Sequence, residues 1–338
     1  MTIKNVDMDF EFINYIDESP RPRESLYQQA CANDGITVKS WHKTWVDNVR
    51  ANNLKYGPFR EKSFKDLWGK YKFSPAIIVG SGPSLKNNIH VLKDPKGIPI
   101  ISCLHNYHYC VDNEVPVDYY VSLDAGEITI SEISEGGSKT HDEYLERTVD
   151  KTLLAYIGSS PKLLESWKGE IRFFNCPVPN EQILKEITEI EEFNTYVSSG
   201  GNVLGASAYI AKALFGANPI CFVGADFSFS YTKKFHAWKS QYDEKLGNCM
   251  RATDVFGNKV ITWQSYFNFK CWFDWLVQTV PGSYFNCTEG GIMGSYPEGN
   301  IRALTQMELN QFIKMYNMCE DMKVQCLQPE IRNNKILF

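Results

Sequence analysis

A turn of glycines set between an apolar run and a helix-like stretch has the make-up of an anion site: Val79-Gly80-Ser81-Gly82-Pro83-Ser84-Leu85. Glycines permit a tight turn and close backbone approach. Pro83 suits a first helical position, where no amide is lost, and the free amides of a first helical turn point at a ligand with the positive dipole end behind them. A phosphate fits there, contacted by Gly80, Ser81, Gly82, Pro83 and Ser84. The run is not a Walker loop, lacking Gly-Lys-Ser/Thr, and it departs from the dinucleotide fingerprint because Leu85 stands where a third glycine belongs. A structural strand-to-helix turn is the plain alternative. A second cluster, Ser198-Ser199-Gly200-Gly201-Asn202, opens another helix-like run, so Ser199, Gly200, Gly201 and Asn202 would bring further donors to the same crevice. A helix cap explains that cluster almost as well.

Two carboxylates, Asp124 and Asp226, sit just past apolar runs, where ligands of open α/β sheets bind, and each could meet a ribose hydroxyl, a metal ion or an acceptor hydroxyl. Loop aspartates bonded to nearby amides are the alternative. His236 follows the loop that begins at Asp226 and suits a general base near neutral pH, while Tyr231, Lys233 and Lys234 could offset phosphate charge on a leaving group. Cys103, His105, His108 and Cys110 have the wrong spacing for a zinc finger, and Asn106 among them is the better candidate for touching a base or a sugar. The aromatic run from Trp263 to Trp275 has helical spacing and reads as core rather than as a base-stacking platform.

The elements that would position these groups can be read from texture. Residues 1–72 are polar, with Pro20, Pro22, Gly57 and Pro58 and with Trp41, Trp45, Phe59, Phe64 and Trp68 near helical spacing, which predicts an amino-terminal helical subdomain packed on the domain after it. From Ser74 short β-branched runs alternate with helical stretches, the rhythm of a parallel α/β sheet. Strands are predicted at Ala76–Val79, Ile98–Ser102, Tyr119–Ser122, Thr152–Ile157, Ile171–Phe174 and Ile220–Val223, with helices near Ser84–Leu92, Lys162–Trp167, Asn180–Ile190, Val203–Phe215, Ser265–Val280 and Thr305–Met322. The expected fold is a Rossmann-like, doubly wound, mostly parallel sheet over 73–300, with a closing helix and tail over 301–338.

Composition bounds the function. The chain has 338 residues, net charge −5 and 43% apolar residues, an ordinary globule and not a basic nucleic-acid binder. No apolar run approaches the roughly 20 residues of a membrane span. Asp7, Asp9 and Glu11 stand where a signal peptide would be basic and then apolar, and ten scattered cysteines without a Cys-x-x-Cys pair read as reduced thiols, so a cytoplasmic setting is expected.

Taken in order, the motifs resemble a known family. Trp45 with Asn48 and Asn52, then Pro75 to Leu85, Val115 to Asp124, Gly200 to Asp226, and Asn286-Cys287-Thr288-Glu289-Gly290-Gly291 look like the MptE-like family of 6-hydroxymethylpterin diphosphokinases and motility accessory factor (Maf) proteins, over about Trp45 to Gly294. The Gly-Pro-Ser-Leu loop, Asn106, Ser199-Gly200 and Gly224 to Phe227 are also similar to bacterial sialyltransferases that use a CMP-activated sugar. That resemblance implies the first glycine loop and Asn106 on nucleotide and phosphate, Ser199-Gly200 on cytosine or ribose, and Tyr231 on the departing phosphate. The chain departs from it at Ser81, an asparagine in those enzymes, and in lacking an evident counterpart of their later catalytic histidine. The implied activity is glycosyl transfer from a nucleotide-sugar donor to a hydroxyl of a glycan, protein or small molecule, with no metal required. The alternatives are a diphosphokinase using ATP and Mg²⁺ held by Asp124 and Asp226, and a nucleotide or sugar binder without catalysis.

Overall fold

The computed structural model describes residues 26, 28, 34–178, 180–230, 236–238 and 249–317. Its centre is a sheet of eight strands: β1 (Ala76–Val79), β2 (Ile100–Cys103), β3 (Tyr119–Ser122), β4 (Thr152–Tyr156), β5 (Glu170–Phe174), β6 (Ile220–Val223), β9 (Tyr284–Asn286) and β10 (Thr305–Gln306). Their order is β10-β9-β6-β1-β2-β3-β4-β5, and every pairing is parallel. Strands β1, β2, β3 and β6 are buried at every position, which is why they read as unbroken apolar runs and not as an alternation. The chain builds outward from β1 to β5 on one side and from β6 to β10 on the other. The order reverses between β1 and β6, and their carboxyl ends are where this architecture opens a crevice.

All six expected strands are present, and the sheet is larger than the expectation by two short strands at one end, β9 beside β6 and β10 at the edge. A separate antiparallel hairpin, β7 (Cys249–Thr253) with β8 (Lys259–Trp263), was also outside it. Its turn is closed by the Asp254 carboxylate, which accepts from the amides of Phe256 at 2.9 Å and Asn258 at 2.8 Å. Strands of two or three residues carry too little periodicity to register in a sequence. Among the described residues the closing helix covers 309–317; it starts later than expected because Thr305 and Gln306 are taken up by the sheet, and 318–322 of the expected helix lie outside the described residues.

The long Asp34–Tyr56 helix packs on the Pro161–Ser166 and Glu181–Ile190 helices, and its Val46 and Val49 join the same buried cluster as the sheet. Two asparagines one turn apart fasten it. Asn52, 1% exposed, donates its amide to the carbonyls of Ile157 at 2.8 Å and Ser159 at 2.9 Å, and Asn48 donates to those of Ala125 and Gly158, both at 3.0 Å. These carbonyls lie just past β3 and β4, so the helix is tied to the loops that carry Asp124. On the other flank the Gln264–Thr279 helix holds a fully buried pair, Lys270 with Asp274 at 2.6 Å. Asp274 also accepts from Tyr296 Oη at 2.7 Å and the Gly294 amide at 2.9 Å, which fixes the glycine-rich loop after β9.

Asn52→Ala is expected to strand two buried carbonyls and cost about 1–3 kcal/mol, read as a lower melting temperature; a melting curve equal to that of the parent would remove this anchor from the account.

Candidate functional site

At the β1/β6 switch point the two backbones nearly touch. The Gly80 amide donates to Val223 O at 2.8 Å and the Gly82 amide to Gly224 O at 2.9 Å. A Cβ on Gly80 would lie 2.6 Å from Gly224 O, and Gly224 itself is in the left-handed region at φ 65°. No larger residue fits at either position. Into this contact β6 delivers Asp226, whose carboxylate accepts from the Ser84 amide at 3.1 Å and from Ser84 Oγ at 2.5 Å. It is 3% exposed, and burial pushes its pKa up to about 7 against the opposing pull of the Ser84 bonds. The expectation of free amides aimed at a ligand from the first glycine loop is therefore corrected. The α-helix there is a single turn, Leu85–Asn88, continued by a 3-10 helix over Ile89–Lys93, and the carboxyl group at its start is the protein's own Asp226.

The Thr288-Glu289-Gly290-Gly291 loop closes over Asp226 from the far side. Thr288 Oγ1 accepts from the Ala225 amide at 3.0 Å, the Ile292 amide donates to Asp226 O at 2.8 Å, and a Cβ on Gly291 would run into the Asp226 backbone. Glu289 accepts from the side chain of Asn88 at 3.3 Å and the amide of Leu309 at 3.1 Å. This motif fastens the site and does not line its cavity.

The cavity has a volume of about 450 Å³. Gly80, Ser81, Gly82, Gly201, Asn202, Asp124, Asp226 and His236 of the expected set line it, joined by His105, Glu132, Tyr266 and Phe269. His236 is 8% exposed, lies flat on Trp238 at 5.2 Å between centroids, and meets His105 edge-on at 4.6 Å. Its Nδ1 is 3.2 Å from Ser81 O, and since a carbonyl can only accept, Nδ1 carries the proton and Nε2 is the basic nitrogen of the neutral ring. Tyr231, Lys233 and Lys234 lie outside the described residues.

The second glycine cluster is a cap. Asn202 Oδ1 accepts from the Gly205 amide at 2.9 Å, starting the Val203–Tyr209 helix, and Ser199 Oγ accepts from the Gly201 amide at 3.2 Å. The amides of Val203 and Leu204, first and second in that helix, have no acceptor within it, and both residues line the cavity. Gly200, at φ 57°, lies against the Trp272 indole, where a Cβ would collide with the ring.

A second cavity of about 540 Å³ adjoins the first and shares Leu123, Asp124 and Gly201 with it. Four indoles, Trp41, Trp45, Trp272 and Trp275, line it together with Tyr156, Ser199 and Gly200. Asp124 thus stands where the two compartments meet, and desolvation by the surrounding protein raises its pKa. Pro83, Ser84 and Asn106 line neither cavity. Asn106 is fully buried and donates to Val79 O at 3.1 Å, securing the end of β1, so the structure gives it a supporting place beneath the glycine loop. Cys103 and Cys110 are buried thiols whose pKa values burial pushes up to about 12. Among the described residues no cluster of three or more His, Cys, Asp or Glu is arranged to hold a metal ion.

His105 and the indole cavity went unassigned in the sequence. Trp41, Trp45, Trp272 and Trp275 come from two helices more than 200 residues apart in the chain, and only the Trp45-Asn48-Asn52 spacing pointed toward them.

With this geometry in hand, the comparison with families is decisive: the model described as "6-hydroxymethylpterin diphosphokinase MptE-like" matches residues 50–232, more than half of the chain. The chain belongs to the MptE-like family. No curated protein matches it. Among solved structures it is similar to the Maf glycosyltransferase of Magnetospirillum magneticum AMB-1, at 15% identity and a TM-score of 0.52, over 82% of this chain and 42% of that one. The similarity supports the α/β fold, and the chain spans less than half the length of that neighbour. The switch-point crevice between β1 and β6 carries the turns at Gly80, Gly82 and Gly224, with Asp226 among its lining residues.

Two outcomes test the crevice. Gly82→Ala drives a methyl group into the Asp226 carboxylate and is expected to cost about 1–3 kcal/mol of stability, measured by thermal unfolding. Because the pKa of Asp226 is raised from 3.8 to about 7 on folding, its burial costs nothing below the unfolded value and progressively more as pH rises toward 7. Asp226→Asn keeps an acceptor for Ser84 and should therefore raise the melting temperature relative to the parent at pH 8 while changing it little near pH 4; equal shifts at both would refute the proton linkage.

Proposed function

We propose that the chain is a nucleotide-dependent transferase that moves a sugar from a CMP-activated, sialic-acid-like donor to an acceptor hydroxyl. One observation carries the choice of donor: a compartment walled by four indoles adjoins one walled by glycines and the start of a helix, a pairing that suits a flat base joined through a single phosphate to a sugar. The single phosphate linking nucleoside to sugar meets the amides of Val203 and Leu204 at the cavity wall. The base stacks among the indoles beside Ser199 and Gly200, where aromatic stacking is worth about 1–3 kcal/mol per base.

In this reading the acceptor oxygen attacks the anomeric carbon as the bond from that carbon to the phosphate oxygen breaks. The nucleoside monophosphate leaves with the bonding pair, and the acceptor proton passes to Nε2 of His236, whose ring Ser81 O holds in the required tautomer. Tyr231 remains the proposed partner of the departing phosphate. Asp124, at the junction, is placed to bond a sugar or ribose hydroxyl. The family description supports a second reading, transfer of diphosphate from ATP to a hydroxymethylpterin-like molecule. There Asp124 is the better Mg²⁺ ligand, since it is exposed to both cavities while Asp226 is already engaged by Ser84.

Thermal unfolding with CMP, CDP, UDP, AMP and ATP, each with Mg²⁺ or with EDTA, separates the two. A ligand at about 100 times its Kd adds roughly 2.7 kcal/mol. Stabilisation by CMP that survives EDTA, with quenching of tryptophan fluorescence, is the expected result. Stabilisation only by ATP or AMP with Mg²⁺ would transfer the assignment to the diphosphokinase, and silence from all five would overturn nucleotide use.

A further inference from the structure

The opposite end of the sheet carries a second surface. Before β1, β6 and β9 the chain makes turns that meet at the amino edge, and Trp68, Lys72, Phe73, Lys212, Pro281 and Gly282 line a shallow groove of about 690 Å³ there. Phe73 is 77% exposed and Trp68 49% exposed. Neither belongs to a fraying loop. The Gly69 amide donates to Leu214 O at 2.8 Å and the Tyr71 amide to Phe215 O at 3.0 Å, which locks the turn against the sheet's own connections. Phe73 itself adopts φ 66°, a conformation that favours glycine, so the fold holds a large apolar ring outward on a rigid mount.

Charge distinguishes the same turn. In a chain of net charge −5, residues 60–73 hold five basic residues against two acidic ones. Of those two, Asp66 is taken by Arg172 at 3.1 Å. Among the described residues Lys62, Lys65 and Lys72 have no carboxylate within ion-pair distance, and the Nζ atoms of Lys65 and Lys72 lie 6.0 and 5.1 Å from the ring centroids of Trp68 and Phe73. Unpaired lysines around two projecting aromatic rings match a bilayer surface, where rings settle at the headgroup level and ammonium groups meet lipid phosphates. The core of a protein interface is depleted in lysine, which argues against a protein partner.

We propose that this amino-edge surface docks the protein peripherally on a bilayer containing anionic lipid, with Phe73 and Trp68 entering the headgroup layer and Lys65 and Lys72 beside the phosphates. The cavities open at the carboxyl ends of the strands, so docking leaves them facing away from the membrane. The proposal does not depend on the reaction assigned above.

Sedimentation of the full chain with vesicles of equimolar phosphatidylglycerol and phosphatidylcholine, against phosphatidylcholine alone, tests it. The chain is expected to sediment with the anionic vesicles and to be released in about 1 M salt, where charges are screened beyond about 3 Å. Lys65→Gln and Lys72→Gln should each weaken partitioning roughly fivefold, and Phe73→Ser should weaken it on anionic vesicles without changing the melting temperature, since the ring is exposed. Absence of the chain from the anionic pellet would overturn the proposal, as would binding unaffected by all three substitutions. A homodimer in solution that buries Phe73 and leaves the vesicles unbound would assign the surface to a second copy of the chain and overturn it too.

Discussion

A carboxylate taken out of water needs donors, and Asp226 finds them across the gap between the two halves of the sheet. It leaves β6, crosses to the turn after β1 and accepts both hydrogens that Ser84 offers. That crossing sets the glycine requirement around it, because Gly80, Gly82, Gly224 and Gly291 all lie where a side chain would strike the opposing backbone or the carboxylate itself. The loop after β9 then seals the arrangement through Thr288 and Ile292. The chain's distant glycine motifs are thus parts of one contact at the switch point.

Much of this architecture is written locally. Ala76–Val79, Tyr119–Ser122 and Ile220–Val223 are recognisable because a central parallel strand is buried on both faces and must be apolar throughout. The glycine turns are equally visible. Their work is not, since whether an amide faces a ligand or a carboxylate 142 residues away is a long-range fact. Asn106 shows the same limit: a polar residue after a strand looks available, and only the packing reveals that it supports Val79. The indole cavity was hidden because aromatic residues at helical spacing are ordinarily core, and here Trp272 is nearly buried and yet presents an edge to an open compartment.

The two cavities divide the chemistry by what surrounds them. The first is walled by glycines, a histidine pair and carboxylates, groups that orient and move protons; the second is walled by indoles, which favour a flat ring and impose little charge. Asp124 belongs to both, so a ligand long enough to span them must pass its carboxyl group. Asp226, nearly closed off from water at the switch point, has its pKa raised by burial, whereas Asp124 keeps a solvent-exposed face at the junction of the cavities.

The Asp34–Tyr56 helix supplies Thr37, Val38, Trp41 and Trp45 to the indole cavity, while Asn48 and Asn52 on the next turns bond to the loops after β3 and β4. A molecule in that cavity would bridge helix and sheet, adding contacts to those asparagine amides. Occupancy and local unfolding of the helix are then two readings of one equilibrium: whatever binds there slows exchange of the helix's backbone hydrogens, and whatever frees the helix lets the bound molecule go.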